Sequence, residues 1–287
     1  MSPTRKTLQL ESIALSYLEW NPDGEQPLLL LHGLADHASV WMSLAGYLGD
    51  RYHIVAPDMR GHGNSDKPDR GYTFGEAIAD LEGLLNHLNW SDCHVLGHSW
   101  TGKLIPIWAT KQPERFRSLI LVDPIFITKM PGILKLTLPI VYRKLDSLKC
   151  MGPFESFDVA ESRAKELSQF AGWNDRQRQV FREAMEAKPD GKWGSKFTVE
   201  ARNGVFEEVM KVPGLTEAIA IPTLLIQPER GVNRTDWQLK PYQKYLTNLQ
   251  IRQVPGNHWP FLVEPESFNR TVAEFLDGQI NPPVSIA

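Results

Sequence analysis

The sequence lacks the features that define several large classes of protein. Its two cysteines, Cys93 and Cys150, could form at most one bridge, which excludes a framework of disulfide bonds. No run of about 18 apolar residues occurs, so the sequence predicts no membrane-spanning helix. The first residues are charged and have no apolar stretch behind them, unlike a secretory signal. We therefore expect a cytoplasmic protein without a membrane partner.

An excess of charge of one sign is also missing. The 31 lysines and arginines face 34 aspartates and glutamates, and the basic residues are scattered, so nothing favours a nucleic acid partner. No glycine-rich phosphate loop follows an apolar run, and no His-Glu-x-x-His motif is present. The sequence therefore predicts neither a cofactor nor a metal ion.

Short apolar runs do recur, and they alternate with helical patterns. Such runs are typical of strands buried on both faces of a parallel sheet, and they lie at 28–31, 54–56, 93–96, 119–122 and 223–226. Thr73 and Glu76 have the spacing of a helix capping box, and apolar residues then follow at helical spacing up to Leu88. This alternation predicts an α/β fold built around a mostly parallel sheet.

The segment 124–220 breaks the alternation. It is rich in charge, has helical patterns around 160–187 and gives no clear strand signal before Ile221. Because about a hundred residues are too many for a loop in a compact domain, we predict a mainly helical insertion over one end of the sheet. The predicted division is a core of 1–123 and 221–287 with a helical cap of 124–220.

Three motifs carry the chemistry, and the first surrounds Ser99. A buried strand pattern runs directly into residues 97–102 (Gly-His-Ser-Trp-Thr-Gly), and a helical pattern follows at once. A serine flanked by small residues at such a junction is typical of a nucleophile elbow, where a sharp turn exposes the hydroxyl. Thr101 is bulkier than the glycine usual at its position.

The other two motifs supply the groups that a serine nucleophile needs. His32, Gly33 and Leu34 follow the first apolar strand, where the backbone N–H of Leu34 could stabilise an oxyanion together with that of Trp100. His258 lies late in the chain on a glycine-containing loop, which suits a general base that deprotonates a serine.

Together with residues 58–65 (Asp-Met-Arg-Gly-His-Gly-Asn-Ser), these motifs resemble the α/β-hydrolase superfamily. The resemblance covers about 8–125 and 221–280, and it implies an eight-stranded, mostly parallel sheet flanked by helices, with an inserted helical cap. It is similar to the branch of esterases, lactonases, carbon–carbon bond hydrolases, epoxide hydrolases and haloalkane dehalogenases. The last two classes use an aspartate nucleophile, which Ser99 disfavours.

The acid that should orient His258 is not at its usual place. In most of this superfamily it follows the strand that here reads 222–227, but Gly231 stands at the expected position. Three candidates remain. Asp123 ends the preceding strand and is the one we favour, Glu229 lies two positions early on the expected loop, and Asp236 lies beyond it at a possible helix start.

We also predict a substrate pocket around these residues. The predicted lining consists of His32, Gly33, Asp36, His37, Trp259 and Phe261. Its aromatic members favour an apolar or aromatic small-molecule substrate. The sequence therefore predicts a serine hydrolase that cleaves a small carboxylic ester or lactone through an acyl-enzyme on Ser99. The alternatives are a carbon–carbon bond hydrolase of a diketone-like substrate and a ligand receptor with little turnover.

Overall fold

The computed structural model describes residues 2–131 and 148–280. The strands are β1 (Thr4–Gln9), β2 (Ala14–Trp20), β3 (Gln26–Leu31), β4 (Tyr52–Pro57), β5 (Cys93–His98), β6 (Phe116–Val122), β7 (Met185–Ala187), β8 (Trp193–Ser195), β9 (Thr223–Arg230) and β10 (Leu249–Asn257). The helices are α1 (Met42–Leu48), α2 (Phe74–His87), α3 (Trp100–Lys111), α4 (Phe157–Ala164), α5 (Asp175–Ala184), α6 (Val199–Lys211), α7 (Asp236–Tyr245), α8 (Pro260–Val263) and α9 (Pro265–Ile280). Within these residues, no helix has both the length and the apolar character needed to cross a membrane.

Eight of the strands form one sheet in the order β1-β2-β4-β3-β5-β6-β9-β10. β1 and β2 pair antiparallel with each other, and β2 pairs antiparallel with β4. Every other pair in this sheet is parallel. The predicted α/β fold with an eight-stranded, mostly parallel sheet flanked by helices is therefore confirmed.

The apolar runs are continuous because both faces of the sheet are covered. In β3, Leu29 and Leu31 belong to the cluster that contains the buried side chains of α2 and α3. Leu28 and Leu30 belong to the opposite cluster, with the side chains of α1 and α9. Alternate residues of a strand point to opposite faces, so each face of β3 needs its own apolar residues.

The start of α2 confirms the predicted capping box. The hydroxyl of Thr73 accepts a hydrogen bond from the N–H of Glu76 at 3.2 Å, and the Glu76 carboxylate accepts one from the N–H of Thr73 at 3.1 Å. These two bonds satisfy donors that the first turn of a helix otherwise leaves without acceptors. The two cysteines are both buried and are not joined by a disulfide.

The chain between β6 and β9 contains α4, α5 and α6, and part of it, 132–147, lies outside the described residues. It also contains a two-stranded sheet of β7 and β8, which the sequence patterns did not predict because each strand has only three residues. Hydrogen bonds of side chains connect this segment to α8 and to the loop after β3. Gln177 donates to the carbonyl of Leu262 at 3.0 Å, and His37 donates to the carbonyl of Val180 at 2.9 Å.

Lys103 joins α3 to this segment from inside the protein. Its side chain is fully buried, and its Nζ donates to the backbone carbonyls of Phe126 and Val209. Phe126 follows β6 and Val209 lies in α6, so one amine holds three parts of the chain together. Burial lowers the pKa of Lys103 from 10.5 to about 7.

The lowered pKa of Lys103 should make the free energy of unfolding depend on pH. Between pH 7 and 10.5 the unfolded chain binds a proton at Lys103 that the folded chain has lost, so the free energy of unfolding rises with pH in that window. In Lys103→Met this contribution is absent. The difference in unfolding free energy, wild type minus variant, should therefore rise by roughly 1 kcal/mol per pH unit from pH 7 to pH 9. Urea denaturation of both proteins measures it, and a difference that stays constant with pH contradicts the prediction.

Candidate active site

Ser99 lies at the junction between β5 and α3. Its backbone has φ 61° and ψ −115°, a conformation that a residue with a side chain rarely adopts. The turn is tight: a Cβ added at Gly97 would come within 2.6 Å of the Cδ1 of Ile105. Such strain is typical of a nucleophile elbow, which presents the serine hydroxyl above the sheet edge.

Thr101 occupies the position where the elbow usually has glycine, and the structure explains how it fits. Its hydroxyl lies 3.0, 3.1 and 2.9 Å from the carbonyl oxygens of Leu31, His32 and His98. The side chain is fully buried, and these acceptors compensate for the loss of water around its hydroxyl. The hydroxyl that glycine would lack thus connects the start of α3 to the ends of β3 and β5.

Three predicted residues meet at the carboxyl edge of the sheet. Nε2 of His258 lies 3.1 Å from Oγ of Ser99, and Nδ1 of His258 lies 2.6 Å from Oδ2 of Asp123. Because the carboxylate accepts the hydrogen on Nδ1, the lone pair of Nε2 faces the serine hydroxyl. The side chain of His258 is 16% exposed and that of Asp123 is fully buried, so the serine side of the imidazole faces the open side of the site.

The surroundings of Asp123 keep its carboxylate charged. Burial raises the pKa of Asp123, but the hydrogen bond and charge of His258 and hydrogen bonds from Val232 and Asn233 outweigh it, and the pKa is lowered. The Val232 N–H donates at 2.9 Å, and Asn233 donates through its backbone N–H at 3.1 Å and its side-chain amide at 3.0 Å. These donors come from the loop after β9.

The same loop explains why glycine stands at the usual position of the acid. A Cβ on Gly231 would lie 2.6 Å from Oδ2 of Asp123, so any side chain there would displace the carboxylate. The other two candidates are not part of this cluster. Glu229 lies in the exposed end of β9 rather than on the loop, and Asp236 is the exposed first residue of α7.

The two residues predicted to supply oxyanion donors lie on elements next to the site. Trp100 is the first residue of α3, so the helix has no carbonyl to accept its backbone N–H, and the helix dipole favours negative charge there. Leu34 follows the end of β3 and lines the same cavity as Ser99 and His258.

That cavity has a volume of about 730 Å³, and its walls are mostly apolar. They include Leu34, Ile125, Ile127, Phe206, Trp237 and Trp259. Trp237 is 74% exposed, which places it at the mouth. A cavity of this size accommodates a small organic molecule, and its apolar walls favour an apolar one.

Most of the predicted pocket residues lie behind the cavity wall, and this corrects the sequence interpretation. Of the six, only Trp259 lines the cavity. The ring of His32 is buried and accepts the N–H of Met59, while Gly33 is covered by the ring of His98. Phe261 is buried in the core, where its ring centroid lies 4.6 Å from that of Trp41.

Asp36 and His37, the two predicted polar contacts to substrate, are also turned away from it. Asp36 accepts a hydrogen bond from Gln169 at 2.7 Å, and His37 donates to the carbonyl of Val180. Both partners lie far along the chain, in the segment that follows β6, so no local pattern could indicate these contacts.

The sequence interpretation also missed residues that shape the site. Asn233 holds Asp123 and lines the cavity, and its place in the loop after the strand 222–227, where the acid was expected, was the available signal. Phe206 and Trp237 come from helices whose orientation toward the site could not be predicted from their spacing.

Comparison with known proteins places this arrangement in a family. A family model described as the alpha/beta hydrolase fold matches residues 26–265. A serine hydrolase-like protein of Danio rerio is 23% identical over 277 residues, covering 91% of this chain and 84% of that protein. The 2-(acetamidomethylene)succinate hydrolase of Mesorhizobium japonicum is 36% identical over 101 residues, which cover 35% of this chain and only 36% of that enzyme.

A solved structure extends the similarity to the whole fold. The crystal structure of E-2-(acetamidomethylene)succinate hydrolase matches 96% of this chain and 100% of its own, with a TM-score of 0.80 and 23% identity. At this identity the match establishes the fold alone. Since the family model covers most of the sequence, the chain belongs to the α/β-hydrolase family.

Proposed function

We propose that this protein is a serine hydrolase that cleaves a small carboxylic ester or lactone through an acyl-enzyme on Ser99. The observation that carries the proposal is the unbroken series of contacts from Ser99 Oγ to His258 and from His258 to Asp123, at 3.1 and 2.6 Å. The distances and the tautomer suit a base that removes the serine proton. The apolar cavity beside Ser99 supplies the space for a substrate.

The first half of the proposed reaction forms the acyl-enzyme. Ser99 Oγ attacks the carbonyl carbon of the ester while Nε2 of His258 takes the hydroxyl proton. The carbonyl oxygen becomes an oxyanion, which the N–H groups of Leu34 and Trp100 stabilise. The carbon–oxygen bond to the alcohol then breaks, and His258 returns the proton to the leaving oxygen.

The second half repeats these steps with water as the nucleophile. His258 takes a proton from water, the hydroxide adds to the acyl carbon, and the bond to Ser99 Oγ breaks with return of the proton to the serine. Asp123 remains charged throughout and stabilises the imidazolium form of His258, which its lowered pKa supports.

We also propose that the segment 124–220 is a cap over a core of 1–123 and 221–287. Hydrogen bonds from Gln169 to Asp36, and from Asn257 to the carbonyl of Ser168, support this division. Phe206 and Met130 of this segment line the cavity, so the cap would share in selecting an apolar substrate.

A second candidate is hydrolysis of a carbon–carbon bond in a diketone-like substrate by the same three residues. The resemblance of the sequence motifs to a branch that includes carbon–carbon bond hydrolases favours keeping this candidate. Turnover of a β-diketone panel, compared with an ester and lactone panel, distinguishes the two activities.

Labelling with a fluorophosphonate tests the nucleophile. The reagent phosphonylates an activated serine with loss of fluoride, so wild type should be labelled at Ser99 and Ser99→Ala should not be labelled at all. Intact-mass measurement and peptide mapping detect the adduct. Ser118→Ala is the matched control, because Ser118 is fully buried in β6 with its hydroxyl 2.7 Å from Nδ1 of His94. Absence of a Ser99 adduct in wild type would overturn both enzyme candidates and favour a ligand receptor.

Substitution of the acids tests the assignment of Asp123. Asp123→Asn should lower kcat by about 10³- to 10⁴-fold, because an amide neither stabilises the imidazolium nor enforces the required tautomer. Glu229→Gln should leave kcat unchanged, since this side chain is exposed at the end of β9. Steady-state kinetics on a p-nitrophenyl ester measure both. Equal losses in the two variants, or none in Asp123→Asn, contradict the assignment.

The cavity predicts a preference for longer acyl chains. Across p-nitrophenyl esters from acetate to octanoate, kcat/KM should rise by roughly threefold or more per added CH₂ until the cavity is full, because each buried methylene contributes about 0.8 kcal/mol. Ile125→Trp, which adds bulk to the cavity wall, should lower kcat/KM for octanoate more than for acetate. Ile251→Trp in β10, away from the cavity, is the control and should not change the profile. An unchanged profile in Ile125→Trp would show that the acyl chain lies elsewhere.

A further inference from the structure

A second buried carboxylate, Asp36, lies behind the site and joins three parts of the chain. It is only 3% exposed and follows β3. Its Oδ1 accepts a hydrogen bond from Nε2 of Gln169 at 2.7 Å, and its Oδ2 accepts one from Nε1 of Trp259 at 3.3 Å. Asp36 therefore contacts both the segment around Gln169 and the residue next to His258.

His98 completes this arrangement from the side of the nucleophile. Its Nε2 lies 2.8 Å from the carbonyl oxygen of His258, and because a carbonyl only accepts, this nitrogen carries a hydrogen. Its Nδ1 is buried, has no hydrogen-bond partner within the described residues, and lies 3.5 Å from Oδ2 of Asp36. The residue directly before Ser99 thus contacts the backbone of the base.

The absence of a side chain at Gly33 allows Asp36 and His98 to approach each other. A Cβ on Gly33 would come within 2.4 Å of Nδ1 of His98 and 3.0 Å of Oδ2 of Asp36. Only glycine at 33 lets the ring and the carboxylate lie against the loop that carries Leu34.

A lone pair on Nδ1 facing a charged carboxylate would be repulsive, and a single proton between the two atoms removes the repulsion. Burial raises the pKa of Asp36, while burial, together with the charge of His258, lowers the pKa of His98 well below its ordinary range. Both directions place the proton on the carboxyl group, from which it is donated to Nδ1.

We propose that Asp36 and His98 form a positioning pair, in which one proton held between Oδ2 and Nδ1 fixes the carbonyl of His258 and the Ser168–Phe170 segment around Ser99. The inference rests on the proposed function, because it assigns a role in holding the base. Ser168 lines the cavity, and its carbonyl accepts a hydrogen bond from Asn257 at 2.7 Å, so the same segment contacts the substrate space and the loop of the base. His98 lines the cavity, and its ring centroid lies 4.6 Å from that of His258, but neither of its ring nitrogens has a reacting atom as its hydrogen-bond partner.

Several titratable groups lie close to Asp36 and His98, and their charges influence the pH profile of kcat. His32 and His37 face Asp36 from its own loop, and His258 faces both members of the pair. Asp123 faces His98 from the end of β6. A neutral Asp36 adds no charge to this group, so its replacement by a neutral amide should leave the pH profile of kcat unshifted.

Three substitutions of buried carboxylates test the proposal. Asp36→Asn can still donate to Nδ1 of His98 and accept from Gln169, and it loses only the long 3.3 Å acceptor for Nε1 of Trp259, so kcat should stay within about threefold of wild type with an unshifted pH profile. Asp36→Leu removes the contacts with His98, Gln169 and Trp259, and it should lower kcat at least tenfold with a smaller change in KM, as expected when a base is misplaced. Asp80→Leu removes a carboxylate that pairs with Arg60 outside the site, and it should lower Tm without lowering kcat of the folded protein.

The outcomes separate the proposal from its rivals. If Asp36→Asn behaves like Asp36→Leu, or shifts the pH profile, the carboxylate acts through its charge and the proposal is wrong. If Asp36→Leu changes only Tm, like Asp80→Leu, the role is structural and the proposal is also wrong. Should Asp36→Leu fail to fold, His98→Gln, which can still donate to the His258 carbonyl, should retain kcat within about tenfold while His98→Leu does not.

A measurement without turnover keeps this test independent of the proposed function. The ¹³Cγ chemical shift of Asp36, assigned by comparison with Asp36→Asn, should report a protonated carboxyl at pH 7. Titration of Asp36 near the ordinary aspartate value of about 4 would overturn the pair even if the enzyme is active. Conversely, absence of Ser99 labelling in wild type would reject the proposed function while leaving the protonation result valid.

Discussion

The buried carboxylate of Asp123 is the constraint on which the rest of the site depends. A buried charge is costly unless hydrogen bonds and an opposite charge compensate it. Here the loop after β9 provides that compensation through Val232 and Asn233, and His258 provides the rest. The position of the His258 imidazole therefore depends on where the protein can supply hydrogen bonds to the Asp123 carboxylate, which is at the junction of β6 with β9.

This constraint accounts for features that otherwise look unrelated. Gly231 is needed because a side chain there would occupy the space of the carboxylate. Asp123 and Ser99 both adopt positive φ, at 41° and 61°. The two residues that contact His258 therefore both lie on strained backbone. The parallel sheet can support this strain because its strands are covered on both faces and end at one edge.

The local patterns predicted most of the fold and two residues of the site. Continuous apolar runs and the Thr73 capping box depend only on neighbouring residues, and the structure has the strands and the helix that they predicted. Ser99 and His258 were found because each follows a strand in a recognisable local motif. The acid remained open among three candidates, since the choice depends on which carboxylate reaches His258 across more than a hundred residues. The true cavity lining was missed for the same reason, whereas β7 and β8 were missed because each strand has only three residues.

By itself, the sequence determined the alternation of the central strands with helices, the strained turn at Ser99 and the presence of a late histidine, because short-range spacing and residue type encode these features. Only the tertiary structure decided which carboxylate lies at 2.6 Å from His258, and that Asp36 and His37 face Gln169 and Val180 instead of the cavity. Those contacts join residues that are distant along the chain. They follow from how the strand ends and the segment after β6 pack together, and no local pattern records that packing.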